Sequence, residues 1–303
     1  MSEQIVLQAK PAEPVALSWA PTREQGQWAI IVRQLRRNRV AVIGLVLIIL
    51  EIIVALAAPW VAPYDPLDQS VREALKPPSP QHLLGTDDLG RDLLSRIIYG
   101  ARISLRVGLI AAGIAGIGGV FIGAVAGFRG GGLDEVIMRL VDILLAFPGM
   151  LLALTIIAVL GPGLFNVMIA VGIGSIPSFT RVARGQTLSV KEEDYVLSAR
   201  VVGCSDMRII FHYIVPNVLP TVIVLTTLRV ATAILTAAGL SFLGLGAQPP
   251  TPEWGAILSA ARVYLRQAWW FTTFPGLAIM ITVMSINLFG DGLRDALDPK
   301  LRR

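Results

Sequence analysis

The sequence predicts an all-α, polytopic membrane protein with about six transmembrane helices. Of its 303 residues, 54% are hydrophobic and only 16% are charged, whereas soluble domains carry about 25% charged residues. The mean hydropathy of +0.67 indicates more apolar surface than one water-soluble core can bury. Apolar runs close to the roughly 20 residues that span a bilayer recur along the chain, and polar loops separate them.

The first of these runs, residues 40–61, is expected to form a transmembrane helix behind a cytoplasmic N-terminal tail, residues 1–39. It holds 13 Leu, Ile or Val residues between Val40 and Trp60. Their insertion outweighs Glu51, which costs on the order of 3 kcal/mol at mid-helix. The alternative is a cleaved signal peptide, but the run starts late and exceeds a signal core of roughly 7–15 residues.

A polar loop, residues 62–100, is expected on the outer side of the membrane. Basic residues are unusual in such a loop, yet several lie in it or just after it, together with aspartates. We expect partial burial of this charged motif. Its residues are Asp87, Asp88, Arg91, Asp92, Arg96, Arg102 and Arg106.

The second apolar segment, Ile103–Phe128, carries small residues at intervals of four. Small side chains in register let another helix approach closely, although small residues are also common in membrane helices generally. The spacing favours a tight packing face. That face consists of Ala111, Ala115, Gly119, Gly123 and Gly127.

Four further segments complete the set, and the third segment of the chain is expected to kink at Pro148. The four are Glu135–Leu160, Leu164–Val182, Val218–Gly246 and Phe271–Leu288. An even number of crossings puts both termini on one side, and the arginines at 33–39 mark that side as cytoplasmic. The loop at 247–270 then faces outward, with a short helix over 256–266. Its tryptophans suit a membrane interface: Trp254, Trp269 and Trp270.

Four charged residues fall inside the apolar segments, namely Glu51, Arg139, Asp142 and Arg229. Such residues normally face protein or water and find a partner. For Arg229 the expected partner is Glu51, Asp142 or a residue of another subunit. A buried pair that fixes helix packing and a role in a translocation path are both open interpretations.

The polar stretch 189–217 lies between two long apolar segments. It predicts a helix over Glu192–Val202, an elbow at Gly203 and a second helix that Ser205 and Asp206 cap. Pro216 is expected to end or bend that helix. A solvated hairpin and a DNA-binding helix-turn-helix are alternatives, but the flanking membrane-length segments argue against DNA.

The sequence offers little for catalysis, metal binding or a cofactor. Its only histidines are His82 and His212, and its only cysteine is Cys204. It contains no Gly-Lys-Ser/Thr phosphate loop, no G-x-S-x-G and no H-E-x-x-H. Its arginines flank apolar runs rather than form a basic stripe, which disfavours nucleic-acid binding. We therefore expect no enzyme, metal or cofactor.

The polar stretch resembles the coupling loop of ABC importer permeases, whose pattern is Glu-Ala-Ala, three residues, Gly, nine residues, then Ile-x-Leu-Pro. The spacing is intact, and Ala199, Gly203 and Pro216 match. Leu197 and Ser198 stand where the family has the Glu and the first Ala. The resemblance implies that this loop contacts an ATPase. The residues so assigned are Ser198, Ala199, Gly203, Ser205, Asp206 and Pro216.

Further motifs resemble the second ("C") permease subunit of dipeptide and oligopeptide ABC importers, including the glutathione and nickel branches. They are G-T-D-D-L-G-R-D-L-L-S-R, the M-R-x-x-D-x-x-x-A-F-P run, S-F-L-G-L-G-A-Q-P-P-T-P-E-W-G and G-D-G-L-R-D-A-L-D-P. This resemblance implies a type I ABC importer permease fold. Its permease core would cover residues 101–296, with five transmembrane helices and the coupling loop, before a cytoplasmic tail at 297–303.

The same resemblance implies a location and partners. The chain would lie in the bacterial plasma (inner) membrane, surrounded by lipid, and hydrolyse nothing itself. Its partners would be a second homologous permease, two cytoplasmic ATPase subunits and an extracytoplasmic substrate-binding protein. The alternative is an ion-coupled secondary carrier, for which Glu51, Asp142 and Arg229 are the candidate coupling residues.

Overall fold

A computed structural model describes residues 33–297 of the chain. Regular structure in this range is helical, apart from one isolated bridge between Thr86 and Asp92. Residues 33–37 are helical. The α-helices after them are α1 Arg39–Leu56, α2 Ala58–Val61, α3 Leu93–Arg129, α4 Gly131–Ala146, α5 Gly149–Leu160, α6 Leu164–Val190, α7 Asp194–Val201, α8 Asp206–Ile209, α9 Val215–Phe242, α10 Trp254–Ala261 and α11 Trp269–Leu297. Single 3-10 turns occur at Val71–Glu73 and Arg262–Tyr264, and a π-helical turn, Ile210–Ile214, joins α8 to α9.

Five helices in the described range are long and apolar enough to cross a membrane, and a sixth crossing exists if the bent pair α4 and α5 counts as one span. This agrees with the expectation of about six. The two members of the pair meet at 97°. Phe147 adopts an extended conformation there, as the residue before a proline prefers. The kink expected at Pro148 is therefore a full break.

The helices extend beyond the apolar runs that predict them. α3 begins at Leu93 rather than at the apolar boundary near Ile103, so the last residues of the expected 62–100 loop are helical. α6 continues to Val190, and α11 covers Trp269–Leu297. The first segment is shorter than expected, because α1 ends at Leu56 and the short α2 follows.

The small-residue face of α3 lies against α6. An added Cβ at Gly123 would lie 2.8 Å from the Cβ of Ala183, and one at Gly127 would lie 2.9 Å from the Cβ of Thr187. Gly119 faces Phe179 and the backbone of Ile176. Ala111 and Ala115 are also buried. The two helices therefore approach each other at backbone distance, as small residues in register allow.

A buried ion network organises the loop that precedes α3. Arg91 Nε lies 2.6 Å from Asp87 Oδ2, and Arg96 Nε lies 3.3 Å from the same oxygen. Asp92 caps α3 by accepting a hydrogen bond from the Ser95 backbone N–H at 2.8 Å, and its other oxygen lies 2.9 Å from His82 Nδ1. Burial of the charged motif is confirmed for these residues.

Two further arginines of that motif behave differently. Arg102 and Arg106 are exposed on the surface of α3, so the motif is partly buried, as expected. They lie on the turns of α3 that follow the loop, beyond the reach of the Asp87 carboxylate network.

The loop at 247–270 is attached to the rest of the protein by its tryptophans. Trp254 Nε1 donates to the Ile97 carbonyl at 3.0 Å, and Trp270 Nε1 donates to the Thr86 carbonyl at 3.2 Å. Both side chains are buried, and only Trp269 is exposed. The prediction that these tryptophans lie at a membrane interface is therefore wrong for Trp254 and Trp270. The short helix expected over 256–266 is present as α10 and the 3-10 turn after it.

Candidate functional site

The polar hairpin α7–α8 turns at Gly203. The Gly203 N–H donates to the Arg200 carbonyl at 2.9 Å, and the Cys204 N–H donates to the Ala199 carbonyl at 3.0 Å. These two bonds form the Schellman arrangement that ends a helix. Gly203 has φ +85°, a conformation that side chains other than glycine disfavour. The expected glycine elbow is present.

The second helix starts where the sequence predicts, but not by the expected contact. Ser205 occupies the N-cap position with extended backbone angles, yet its side chain makes no capping hydrogen bond. The Ser205 backbone carbonyl accepts the first bond of the helix, from the Ile209 N–H at 3.0 Å, as in any helix. Asp206, in the first turn, lies 3.6 Å from Arg129 Nε, and both side chains are more than half exposed. In α7, Ser198 Oγ donates to the Asp194 carbonyl at 2.8 Å.

The inner face of the hairpin is apolar and buried. Val196 and Ala199 of α7 pack with Ile209 of α8 and with the ends of α3 and α6. Arg200 lies over the Phe128 ring, 4.6 Å from its centroid, a cation–π contact. Lys191 Nζ donates to the Gly127 carbonyl at 3.2 Å. The hairpin is thus fixed to the helices that carry the small-residue packing face.

The outer face of the hairpin is also apolar, but it is exposed. Val201 is 88% exposed and Val202 is 82% exposed. Met207 of α8 is about half exposed, whereas Phe211, just beyond α8, stacks on Phe121 of α3. A hairpin that only faced water would place polar residues at its tip, whereas an exposed apolar group beside polar residues is typical of a protein-binding surface. We call Val201, Val202 and Met207 the elbow patch.

The second arm continues into the membrane without a stop. The Val215 N–H donates to the Ile210 carbonyl, five residues back, which closes the π-helical turn. Pro216 then lies in the first turn of α9; it has no N–H to donate back to the π-helical turn, but the helix continues through it to Phe242. The alternative that Pro216 ends the helix is therefore wrong. An inserted π turn of this kind is often found at functional sites.

The charged residues of α4 pair with α6 and with each other. Asp142 Oδ1 lies 2.6 Å from Arg181 Nη2. Asp134 receives two hydrogen bonds from Arg184, at 2.5 and 2.6 Å. Arg139 lies 3.9 Å from Glu135 on its own helix. Sequence reasoning missed the two α6 arginines as partners, although their spacing of three residues puts them on one helix face.

Glu51 and Arg229 do not meet. Glu51 of α1 lies beside Thr282 of α11, and its Oε2 atom is buried without a hydrogen-bond partner in the described part of the chain. Arg229 forms no ion pair with Glu51 or Asp142. The two intrachain partners expected for Arg229 are therefore wrong, and a residue of another subunit stays a prediction.

Arg229 instead lines a cavity of about 280 Å³ between α9, α6 and the break that separates α4 from α5. Hydroxyl groups, aromatic and aliphatic side chains and two glycines surround it. The lining residues are Leu144, Leu145, Phe147, Gly149, Met150, Val171, Gly174, Ser175, Ser178, Arg229, Thr232, Ala233 and Thr236. Within the described residues, the structure shows no group of three or more His, Cys, Asp or Glu side chains placed to hold a metal ion.

A bundle of membrane-length helices, a polar hairpin with an exposed apolar tip and a mid-span cavity define a transport protein of the helical permease class. Residues 119–303 match the family described as "Binding-protein-dependent transport system inner membrane component", and the chain belongs to this family of ABC importer permeases. Residues 26–78 match "N-terminal TM domain of oligopeptide transport permease C".

Curated relatives are similar over nearly their whole length. The di/tripeptide transport system permease protein DppC of Pseudomonas aeruginosa (strain UCBPP-PA14) is 50% identical over 271 residues, covering 88% of this chain and 89% of the relative. The dipeptide permease DppC of Alkalihalophilus pseudofirmus is 46% identical, covering 91% and 90%. The glutathione transport system permease protein GsiD of Escherichia coli O6:K15:H31 is 48% identical, covering 93% of each chain.

A solved structure shares the fold. A chain from the inward-facing MetNI methionine ABC transporter superposes with a TM-score of 0.56 at 17% sequence identity. The match covers 68% of this chain and 98% of that chain. The type I importer permease fold expected from the sequence is confirmed.

Proposed function

We propose that this permease forms one half of the membrane pore of an ATP-driven importer for dipeptides, tripeptides or similar small peptides such as glutathione. The supporting observation is its 46–50% identity to the dipeptide and glutathione permeases over most of both chains. The other half of the pore is a second, similar permease. Two ATPase subunits hydrolyse ATP, and a binding protein delivers the peptide.

The elbow patch carries the coupling part of this proposal. Its residues are apolar and exposed at the tip of a hairpin whose opposite face is firmly packed. A cleft on an ATPase subunit covers this patch in the assembled importer. Because the inner face of the hairpin packs on the ends of α3 and α6, a displacement of the elbow moves the ends of both helices.

The proposed orientation follows from the charges. The elbow side faces the cytoplasm with both termini, in agreement with the basic residues near it. The 62–92 loop faces outward, where a binding protein docks, and the host membrane is the bacterial inner membrane. Labelling of single cysteines by a membrane-impermeant thiol reagent, in a Cys204→Ala background, measures this orientation directly in intact cells.

The experiment for the coupling role is a substitution at Gly203. An added Cβ there meets nothing within 4 Å, so Gly203→Val acts only through the positive φ, at about 1–3 kcal/mol of strain. Peptide-stimulated ATP hydrolysis in proteoliposomes, at matched complex levels, should fall several-fold. Gly203→Asn is the matched control, because asparagine tolerates this conformation far better than a β-branched residue.

Both outcomes are informative because the fold is expected to survive. Gly203 lies outside the membrane-spanning helices and touches no core residue, so insertion and assembly should be unchanged. If Gly203→Val assembles, transports and stimulates ATP hydrolysis like the wild type, the hairpin is not the coupling element.

A further inference from the structure

Arg229 lies at a depth where a permanent charge has a high free-energy cost. It lies near the middle of α9, 14 residues after Val215 and 13 before Phe242. Charged side chains at such depth in a membrane helix are retained when they face a partner or a water-filled path. Since neither Glu51 nor Asp142 pairs with it, its partner is absent from the described part of this chain.

The cavity beside Arg229 has few unused hydrogen-bond donors. Ser175 Oγ donates to the Val171 carbonyl at 2.9 Å. Thr232 Oγ1 donates to the Arg229 carbonyl at 3.0 Å, and Thr236 Oγ1 donates to the Thr232 carbonyl at 2.8 Å. The protons of these hydroxyls are therefore directed at the backbone. Among the described lining residues, the side-chain donors that remain are the hydroxyl of Ser178 and the N–H groups of the Arg229 guanidinium, of which the charged guanidinium is the stronger.

The charge at the cavity is also of one sign, positive. Of the described residues that line it, Arg229 alone carries a charge. The α4 carboxylate nearest in sequence to the cavity, Asp142, is engaged by Arg181 at 2.6 Å. α5 begins at this cavity with Gly149 and Met150, so the positive end of its helix dipole adds to the same sign. A guanidinium with free donors in this setting binds carboxylates well, because its planar fork matches them in two hydrogen bonds.

We propose that Arg229 forms a carboxylate-binding subsite in the translocation path, and that it takes the terminal carboxylate of the peptide during passage. This inference rests on the proposed function, since it identifies which part of the peptide the pore contacts. The apolar lining, from Phe147 and Met150 among others, then faces the uncharged part of the peptide.

The experiment uses the complete importer with its binding protein, reconstituted in proteoliposomes. Uptake is measured for a dipeptide with a free C-terminal carboxylate and for the same dipeptide with a C-terminal amide. The binding protein also discriminates between the two peptides, so the quantity of interest is how the ratio of their uptake rates changes with the permease variant. The variants are Arg229→Gln, which removes the charge, and Arg229→Lys, which keeps it.

Arg229→Gln should lower uptake of the free acid on the order of tenfold, the usual effect of losing one charge-assisted hydrogen bond. Uptake of the amide should change little, so the ratio should fall by a similar factor. Arg229→Lys should retain most of the ratio, because a point charge still attracts the carboxylate although it lacks the planar fork. The amount of the second permease that co-purifies should be unchanged in both variants.

Three results would overturn the subsite. Unchanged uptake by Arg229→Gln would show that the charge has no role in transport. Equal loss for acid and amide would indicate a structural role. Loss of the second permease from the purified complex, rescued by lysine, would identify an acidic residue of that subunit as the source of the carboxylate. A failure of the proposed function looks different, because the wild-type complex would then show no ATP-dependent peptide uptake.

Discussion

Two polar segments of this protein, the 62–92 loop and the α7–α8 hairpin, differ in which of their residues they bury. The 62–92 loop buries part of its charge: Asp87 is fully buried beside Arg91 and beside Arg96 of α3. The hairpin leaves its charges in water and its apolar tip uncovered, with Val201 and Val202 both more than 80% exposed. The first segment is held in place by its own buried ion pairs, whereas the second exposes an apolar tip that we propose an ATPase subunit covers.

The largest expected effect on stability comes from removing Asp87 from the buried ion network. Asp87→Ala removes the carboxylate between two buried guanidinium groups and also a hydrogen-bond acceptor for the Leu89 and Arg91 N–H groups, both at 2.9 Å. Loss of one partner from such a buried cluster costs about 3–5 kcal/mol. The thermal midpoint of the purified complex should therefore fall sharply.

Asp68→Ala is the control for that change, because Asp68 is an exposed carboxylate in the same loop. Its midpoint should match the wild type within experimental error. A midpoint for Asp87→Ala as high as that of Asp68→Ala would mean that the buried network does not hold the loop.

An intermediate effect is expected at the elbow patch, and it should appear only in the assembly. Val202→Asp puts a charge on a surface that an ATPase subunit is proposed to cover, so the affinity for separately purified ATPase should drop on the order of tenfold. The thermal midpoint of the free permease should stay the same, because Val202 is 82% exposed.

Val71→Asp provides the matched comparison in the other loop. Val71 is 84% exposed, so the chemistry and exposure of the two substitutions are alike and only their location differs. ATPase affinity should be unaffected by Val71→Asp. Equal affinities for the two variants would remove the functional distinction between the two segments.

The smallest expected effect is on the pH dependence of stability, and it concerns Asp88, at the edge of the buried ion network. Burial, and secondarily the charge of Asp87, raise the pKa of the Asp88 carboxyl above its usual range. A raised pKa in the folded state means that the fold is favoured at low pH and loses stability as the pH rises through that pKa. Asp88→Asn removes this loss.

The gain from Asp88→Asn at pH 7 should be less than about 1 kcal/mol, because Arg91 lies 3.8 Å away and partly offsets the penalty. Thermal midpoints measured between pH 4 and pH 7 should converge at the acidic end. A gain that grew as the pH fell would have the wrong sign and would exclude burial as the cause.

The sequence predicts local geometry well where one residue type decides it. Gly203 stands out because a positive φ after a helical run favours glycine, and Pro148 stands out because proline disfavours helix in the residue before it. Hydropathy located the membrane segments but not their ends, since α3 and α6 continue as helices into polar surroundings. The helical pattern there depends on packing against neighbours rather than on apolar composition.

Ion pairs between residues that are far apart in the chain could not be predicted from the sequence. Arg181 and Arg184 pair with α4 carboxylates 39 and 50 residues away, and nothing in the local pattern indicates that distance. The same limit made Glu51 an attractive partner for Arg229, because both lie at mid-segment. Depth alone does not fix which helices are neighbours, and α1 packs on α11, away from the Arg229 cavity.

The helical rod from Asp206 to Phe242, 37 residues long and including the π turn, has a mechanical consequence. The elbow begins at one end of this rod, and Arg229 lies between the elbow and the other end. At about 1.5 Å per residue, Arg229 is roughly 35 Å from the elbow and 20 Å from Phe242. If the rod pivots near Phe242, the guanidinium moves about one third as far as the elbow does. A swing of a few ångströms at the elbow therefore becomes a shift of about one ångström at the cation, comparable to the difference between a made and a broken hydrogen bond.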